Sequence, residues 1–301
     1  MTVALREGRE PDPGVGQASL RGPGILERIA LLRESPIAVL GVCVILFWVA
    51  VAILAPLLAP FSPTATIQPM APPWSRGAGG QLFILGTDQL GRDVLSRIIF
   101  GARTVLIYAP AATVSAYGFG VAAGLLAGYR QGWIDELLSR ASDLVLAFPA
   151  LVLYIVIIEK FGASGVNIIV AVTLASGPAV MRIVRGMVLE VRGRAFVAAA
   201  QVRGESAWYI MLAEILPNTT GPLLVDACLR LGYVTVTIGT LGFLGLGLPP
   251  PAPDWGGMIN ETRQFAMIYP HMVVFPCLAI SSLVLGFNLL ADGLGDIGKR
   301  I

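Results

Sequence analysis

Few residues in this chain of 301 have the type and spacing for chemistry. A single histidine, His271, rules out a multi-histidine metal site. It sits near the end of an apolar run and reads as an interfacial polar residue. Cys43, Cys228 and Cys277 are far apart and each lies in an apolar segment. They read as small buried hydrophobes rather than as a disulfide framework. Gly298-Lys299 is followed by Arg300 rather than Ser or Thr, so the chain lacks a nucleotide-binding loop. Gly162-Ala163-Ser164-Gly165 does not fit a nucleophile elbow, and no paired-histidine zinc motif occurs. No catalytic residue, metal site or cofactor is expected. One charge pair remains, Asp226 and Arg230, four residues apart inside an apolar segment. If a helix starts near Gly221, Arg230 lies ~14 Å along it. A charge at that depth costs at least ~2.5–3.5 kcal/mol and must face a bundle interior or water. The pair is either structural or faces a polar path through the apolar segment.

The elements that position these residues are membrane spans. The chain is 55% hydrophobic and 13% charged, against roughly 25% charged in soluble domains. Uncharged runs predict spans at Ile37–Ala59, Thr104–Tyr129, Leu144–Ile158, Phe161–Met181, within Gly221–Leu248, and from about Ile268 to Ala291. Gly120, Gly124 and Gly128 form a small-residue stripe for close helix contact, and a kink is expected at Gly177-Pro178. The glycines Gly239, Gly242, Gly245 and Gly247 suit close packing or a bend. Trp133, Trp208 and Trp255 fall at predicted interfaces. The resulting division is a disordered tail over 1–24, an interfacial helix over 25–36, a first span over 37–60, an external loop and pre-helix over 61–103, and a core over 104–301 that carries a loop at 186–218.

Six spans place both termini on one side. With that side cytoplasmic, the inner segments hold fourteen of the twenty-one basic residues, which favours cytoplasmic N- and C-termini. Net charge of +2 gives no footprint for nucleic acid, because most arginines flank apolar runs. Arg182 and Arg185 suit snorkelling or an acidic partner, and Arg192 and Arg194 lie beyond the span.

Phe196–Asn218 (FVAAAQVRGESAWYIMLAEILPN) is the one long segment of mixed polarity between strongly apolar ones. Gly204 permits a turn after the run Ala198, Ala199, Ala200, and Leu216-Pro217 should stop or kink the helix that follows. Helix, turn, helix is the expected form, suited to a partner's groove. Leu85–Arg103 (LGTDQLGRDVLSRIIFGAR) reads as an amphipathic pre-helix feeding the second span. Thr87 or Asp88 would cap it, and Leu90, Val94, Leu95 and Ile98 would form its apolar face. Asp93 and Arg97 would pair four residues apart.

These two stretches also carry a resemblance. Ala199, Ala200, Gly204, Ile215, Leu216 and Pro217 fall on the spacing of the conserved loop of ABC-importer permeases, with Ala198 in place of the usual leading Glu. Leu85–Arg103 resembles the signature of the C-type permease of dipeptide and oligopeptide importers. Arg182–Gly186, Leu241–Gly247, Asp254-Trp255-Gly256 and Phe287–Leu290 with Asp292-Gly293-Leu294 are similar to the same subgroup. The resemblance runs from about residue 25 to the C-terminus. It implies an all-α integral membrane protein of six transmembrane helices with the type I importer permease fold, in the bacterial inner membrane. It also implies partners: a second homologous permease, two ATPase subunits, an extracytoplasmic substrate-binding protein and membrane lipid, with no nucleic acid. Ala199, Ala200, Gly204, Ser206, Ile215, Leu216 and Pro217 are then expected to couple to the ATPase, with Asp226 and Arg230 on the path. An ATP-independent secondary transporter or channel is the alternative. It calls for inverted repeats or broken helices carrying ion ligands.

Overall fold

The computed structural model describes the backbone of residues 35–300 and the side chains of residues 35–296. The tail expected over 1–24 and nearly all of the interfacial helix expected over 25–36 lie outside the described residues. Ser35 and Pro36 are the exceptions. The Ser35 hydroxyl accepts from the Ala38 amide at 3.4 Å, and Pro36 opens the first helix, where its missing N–H costs nothing.

That helix, α1 (Pro36–Ile53), breaks at Leu54 and resumes as the short α2 (Ala55–Leu58). The span expected through Ala59 is therefore in two pieces, divided just before Pro56, which cannot take part in a helical ladder. A loop follows, holding strands β1 (Ser75–Arg76) and β2 (Leu82–Phe83). These pair antiparallel, Ser75 opposite Phe83, and are the only departure from helix among the regular elements described.

α3 (Val94–Arg130) is a single helix of 37 residues. At 1.5 Å per residue it is ~55 Å long, well beyond a ~30 Å hydrocarbon core. The separate pre-helix expected over Leu85–Arg103 and the span start expected at Thr104 are thus one continuous element. Its cap is Asp93, which accepts from the Ser96 amide at 2.7 Å, and not Thr87 or Asp88. Those two are occupied within the loop: Thr87 bonds Ala71 and Gln68, and Asp88 bonds arginines. Leu90 lies in the turn before the helix and is exposed rather than on an apolar face.

The third span also differs from expectation. α4 (Gly132–Leu146) and α5 (Ala150–Phe161) meet at 86° across Ala147-Phe148-Pro149. Pro149 biases Phe148 away from helical backbone, which divides a run that composition alone would treat as continuous. α6 (Gly165–Val191) continues unbroken through Gly177 and Pro178. After α7 (Ala195–Val202), α8 (Ala207–Phe243) begins in the mixed-polarity segment and carries on as the next span. Of the two outcomes expected at Pro217, a stop or a kink, the stop does not occur. Residues Ile210–Ile215 are wound as a π-helix, and the Leu216 amide bonds the Met211 carbonyl five residues back. The change of winding falls just where Pro217 has no donor to offer. α9 (Trp255–Thr262) and a tight turn at Arg263–Phe265 lead to α10 (His271–Arg300).

Five helices, α1, α3, α6, α8 and α10, are long and apolar enough to cross a membrane, and the bent pair α4–α5 makes up to six. α3 and α6 pack along the glycine stripe. A Cβ on Gly120, Gly124 or Gly128 would come within 2.5, 2.6 or 2.7 Å of the Cβ of Val180, Val184 or Val188. α1 lies against α10, where Gly41 meets the Leu290 amide and Gly293 meets Ala38. These seams let backbones approach without large side chains between them. One apolar core runs through α1, α3, α6, α8 and α10 around Trp48 and Trp255, and a second gathers residues of α6, α7 and the start of α8. The cysteines do not all sit inside. Cys43 and Cys277 are exposed on α1 and α10 and Cys228 is half-buried, all as free thiols.

Candidate functional site

Residues 59–93 and 244–270 share one end of the bundle, joined by contacts between Arg92 and Glu261. Residues near 131 and 192–206 share the other, joined there by the pairing of Arg185 with Asp135.

At the second end the segment 195–217 forms helix, turn, helix. The turn is made by Gly204 at φ +76°, a left-handed conformation that glycine adopts without penalty. Its amide bonds the Gln201 carbonyl at 3.0 Å, and the Glu205 amide bonds Ala200 at 3.2 Å. Ser206 caps α8 by accepting from the Tyr209 amide at 3.2 Å. Arg203 reaches across the turn to Glu214 at 3.1 Å. The residues singled out by spacing then divide. Ala200 and Ile215 are fully buried and pack with Val197, Ile210 and Met211 onto Val184, Val188 and Val191 of α6. Leu216 is half-buried against the same cluster. Ala199, Gly204, Ser206 and Pro217 are exposed, and a side chain on Gly204 would meet open space. Around them stand four large apolar side chains that sequence spacing missed: Val202 at 88% exposure, Trp208, Tyr209 and Leu212. Their only signal was an apolar content higher than a solvated turn needs. Trp208 alone stood out, as an interfacial aromatic.

Arg182 and Arg185 are engaged internally, whereas Arg192, at the end of α6, has a buried Nη1 without a hydrogen-bond partner. Arg185 donates to Asp135 of α4 through two nitrogens, and Arg182 donates to Asp143. Neither snorkelling nor a partner surface is needed to explain them. Arg194 pairs with Glu190 on the surface at 3.1 Å.

Midway between the ends, Arg230 Nε donates to Asp226 Oδ2 at 2.8 Å, and the hydroxyl of Tyr117 on α3 donates to the same oxygen. Arg230 and Asp226 are one turn apart, as their spacing predicted. Tyr117 lies 109 residues before Asp226 in the chain, and only the fold brings it there.

At the first end, Leu85–Arg97 and α9 close on each other. Asp88 accepts from the amides of Leu90 and Arg92 at 2.9 Å, from Arg92 Nε at 2.7 Å and from Arg97 Nη1 at 2.6 Å. Arg97 also donates to Glu261 of α9 at 3.0 Å, and Arg92 donates to the same carboxylate. The Asp93–Arg97 pair expected from spacing does not form: Asp93 is turned back to cap Ser96, and Arg97 has the better buried partners. Burial raises the Asp93 carboxyl above its ordinary value, against the lowering by its two bonds from Ser96. Trp255 Nε1 donates to the Ile98 carbonyl at 3.0 Å, Thr104 to Pro253 at 2.8 Å, and the His271 ring lies 3.4 Å from the Thr87 carbonyl. His271 is thus a buried packing residue beneath the Gly86-Thr87 turn. Asp254 caps α9, accepting from the Gly256 and Gly257 amides. Burial pushes it up to about 6. No group of three or more metal-ligating side chains occurs among the described residues. The arrangement offers surfaces and a charge pair midway along the bundle.

Known proteins are similar along nearly the whole chain. Residues 120–299 match the family described as binding-protein-dependent transport system inner membrane component, and residues 29–73 match the N-terminal transmembrane domain of oligopeptide transport permease C. A dipeptide transport system permease protein of Alkalihalophilus pseudofirmus is 38% identical over 276 residues, 90% of this chain and 88% of that one. Its counterpart in Haemophilus influenzae is 37% identical over 86% of this chain and 88% of its own. A glutathione transport system permease protein of Pectobacterium atrosepticum is 41% identical over 70% of each chain. The chain belongs to the family of binding-protein-dependent transport system inner membrane components, multi-pass permeases of the bacterial inner membrane.

Proposed function

We propose that this chain is the permease subunit of an ATP-driven importer of di- or oligopeptides, forming half of the translocation path and coupling it to a separate ATPase. The family and the dipeptide and glutathione relatives support the class of transporter and of solute. The observation that carries the coupling role is the uncovered apolar surface of Val202, Trp208, Tyr209 and Leu212 around the Gly204 turn. Such a patch, rimmed by polar residues, marks an interaction site. Ala199, Gly204, Ser206 and Pro217 lie on the contact face, while Ala200, Ile215 and Leu216 hold that face on α6. The Gly204 turn is cytoplasmic and the 59–93 loop extracytoplasmic, with both termini inside, as the arginine asymmetry favours.

A second homologous permease completes the path, two ATPase subunits dock at the Gly204 end, and a substrate-binding protein delivers solute at the other. ATP binding closes the ATPase pair and displaces the coupling turn. Because α8 runs unbroken from that turn to Phe243, displacement at one end is carried through the membrane as a rigid-body movement, and hydrolysis resets it. The bent pair α4–α5 is the one feature that also suits an ion-coupled carrier. Its break holds only Ala147, Phe148 and Pro149, none with an ion-ligating side chain, and nearby Asp143 is paired with Arg182. Transport assayed in proteoliposomes should require both ATP and a co-reconstituted ATPase subunit. Uptake that persists without either, driven by an ion gradient, rejects the proposal.

A further inference from the structure

Tyr117, Asp226 and Arg230 lie far from both ends of the molecule. Tyr117 is thirteen residues from the end of α3 at Arg130, and Arg230 thirteen from the end of α8 at Phe243. At 1.5 Å per residue each is ~20 Å from its helix end, so the cluster lies well inside the bundle. The two charged side chains remain 17% and 24% exposed in the isolated chain. Lipid does not tolerate a guanidinium there, so this face must look onto water or onto a protein neighbour.

The bonding within the cluster is uneven. Asp226 Oδ2 accepts twice, from Arg230 Nε and from the Tyr117 hydroxyl. Arg230 gives Nε to Asp226, and its guanidinium also reaches the Tyr117 hydroxyl. An arginine has five N–H donors, so these two partners leave others over. Asp226 therefore fixes the guanidinium by its inner edge, and Tyr117 holds Asp226 across from α3. The donors not taken by Asp226 and Tyr117 belong to a planar fork, the form that binds carboxylates through two bonds.

We propose that Arg230, oriented by Asp226 and Tyr117, is a specificity-determining residue that binds the carboxylate of the solute as it crosses the membrane. The assignment rests on the peptide-importer function proposed above, and deepens it by naming the group that is read. The net charge of Asp226 and Arg230 is zero, so the site holds an anion weakly enough to release it. Tyr117 joins α3 to α8, so a movement of α8 against α3 would alter the grip on that anion during the cycle.

The test compares two solutes in the full complex, with its binding protein, in proteoliposomes. One is a dipeptide with a free C-terminal carboxylate and the other is the same dipeptide as its C-terminal amide. Taking the acid-to-amide ratio of each variant relative to wild type cancels the preference of the binding protein. Arg230→Lys keeps the charge but loses the two-pronged edge. It should lower acid transport about tenfold and amide transport less than twofold. Tyr117→Phe leaves all charges in place and should shift the ratio in the same direction, about threefold, and it serves as the measurement if Arg230→Lys does not reach the membrane. An unchanged ratio in both variants overturns the assignment. A fall of acid and amide together does so as well, since it makes Arg230 the partner of an acidic residue on the second permease. If the wild-type complex transports neither dipeptide, the peptide function itself falls and takes this ligand with it.

Discussion

At the Asp254 end of the bundle, four charged side chains from the loop before α3, from α3 and from α9 are folded in on one another. At the Gly204 end, four large apolar side chains are left uncovered. Both arrangements invert the usual distribution of polarity. Asp88 and Arg97 are nearly inaccessible, at 2% and 3%, yet each has an opposite charge within hydrogen-bond reach. Val202 is almost wholly exposed although nothing polar requires it to be. A closed ion network holds chain segments more than 160 residues apart and asks nothing of a partner. An open apolar patch on a well-packed base asks for one. The closed end thus reads as architecture and the open end as interface, and each variant below is chosen to move one end without the other.

The largest effect is expected from Arg97→Met. It leaves Asp88 and Glu261 sharing Arg92 alone in a buried site, and breaking such a network by removing one member costs about 3–5 kcal/mol. Thermal unfolding of the detergent-purified chain should show the loss. Arg97→Met combined with Glu261→Met removes one charge of each sign and should recover most of it. If the double variant is no better than the single one, the stabilisation lies in the packing of the arginine stem rather than in the charges.

At the other end the pattern should reverse. Trp208→Ala deletes an exposed side chain and should change unfolding by less than ~0.5 kcal/mol. Transport should fall about thirtyfold, the equivalent of ~2 kcal/mol for losing an interface anchor. Single cysteines at Ala199 and Ser206, in a background lacking Cys43, Cys228 and Cys277, should cross-link to the ATPase. One at Ala200 should not, because that position is buried. Cross-linking at Ala200 as strong as at Ala199 would mean that α7 rotates on docking.

How much of each end was legible differs for a physical reason. The Gly204 turn, the glycine stripe on α3 and the Asp226–Arg230 turn are local periodicities, visible wherever residues three or four apart share a face. Asp88, Arg97 and Glu261 were unreadable as a network because their partners are set by tertiary contact. Spacing paired Arg97 with Asp93, four residues away, when Asp93 was needed as a cap. Tyr117 was hidden for the same reason, and the exposure of Cys43 and Cys277 because apolar composition does not distinguish a lipid face from a core. Pro149 and Pro217 show the limit of a single rule: one divides a span, and the other is absorbed by a change of winding.

The smallest effect is a pH dependence confined to the closed end. Asp254 sits between Gly242 and Gly247, both so close that a Cβ on either would overlap its Oδ2 region. Burial raises its pKa to about 6, opposed by the bonds from Gly257 and Gly256 and by Arg97, and assisted by Glu261. Its unfolded value is near 3.9, so the folded chain holds a proton that the unfolded chain has lost between about pH 4 and 6. Stability therefore falls as pH rises through that window, and acidification reverses the fall. Moving from pH 7 to 5.5 should stabilise the chain by just under ~1 kcal/mol. Asp254→Asn, neutral at every pH and keeping one acceptor oxygen for the cap in place of two, should flatten the profile while lowering stability at every pH. The measurement is the unfolding midpoint of both proteins across pH 5.5 to 7. A slope that survives in Asp254→Asn would show that Asp254 is not the group that sets it.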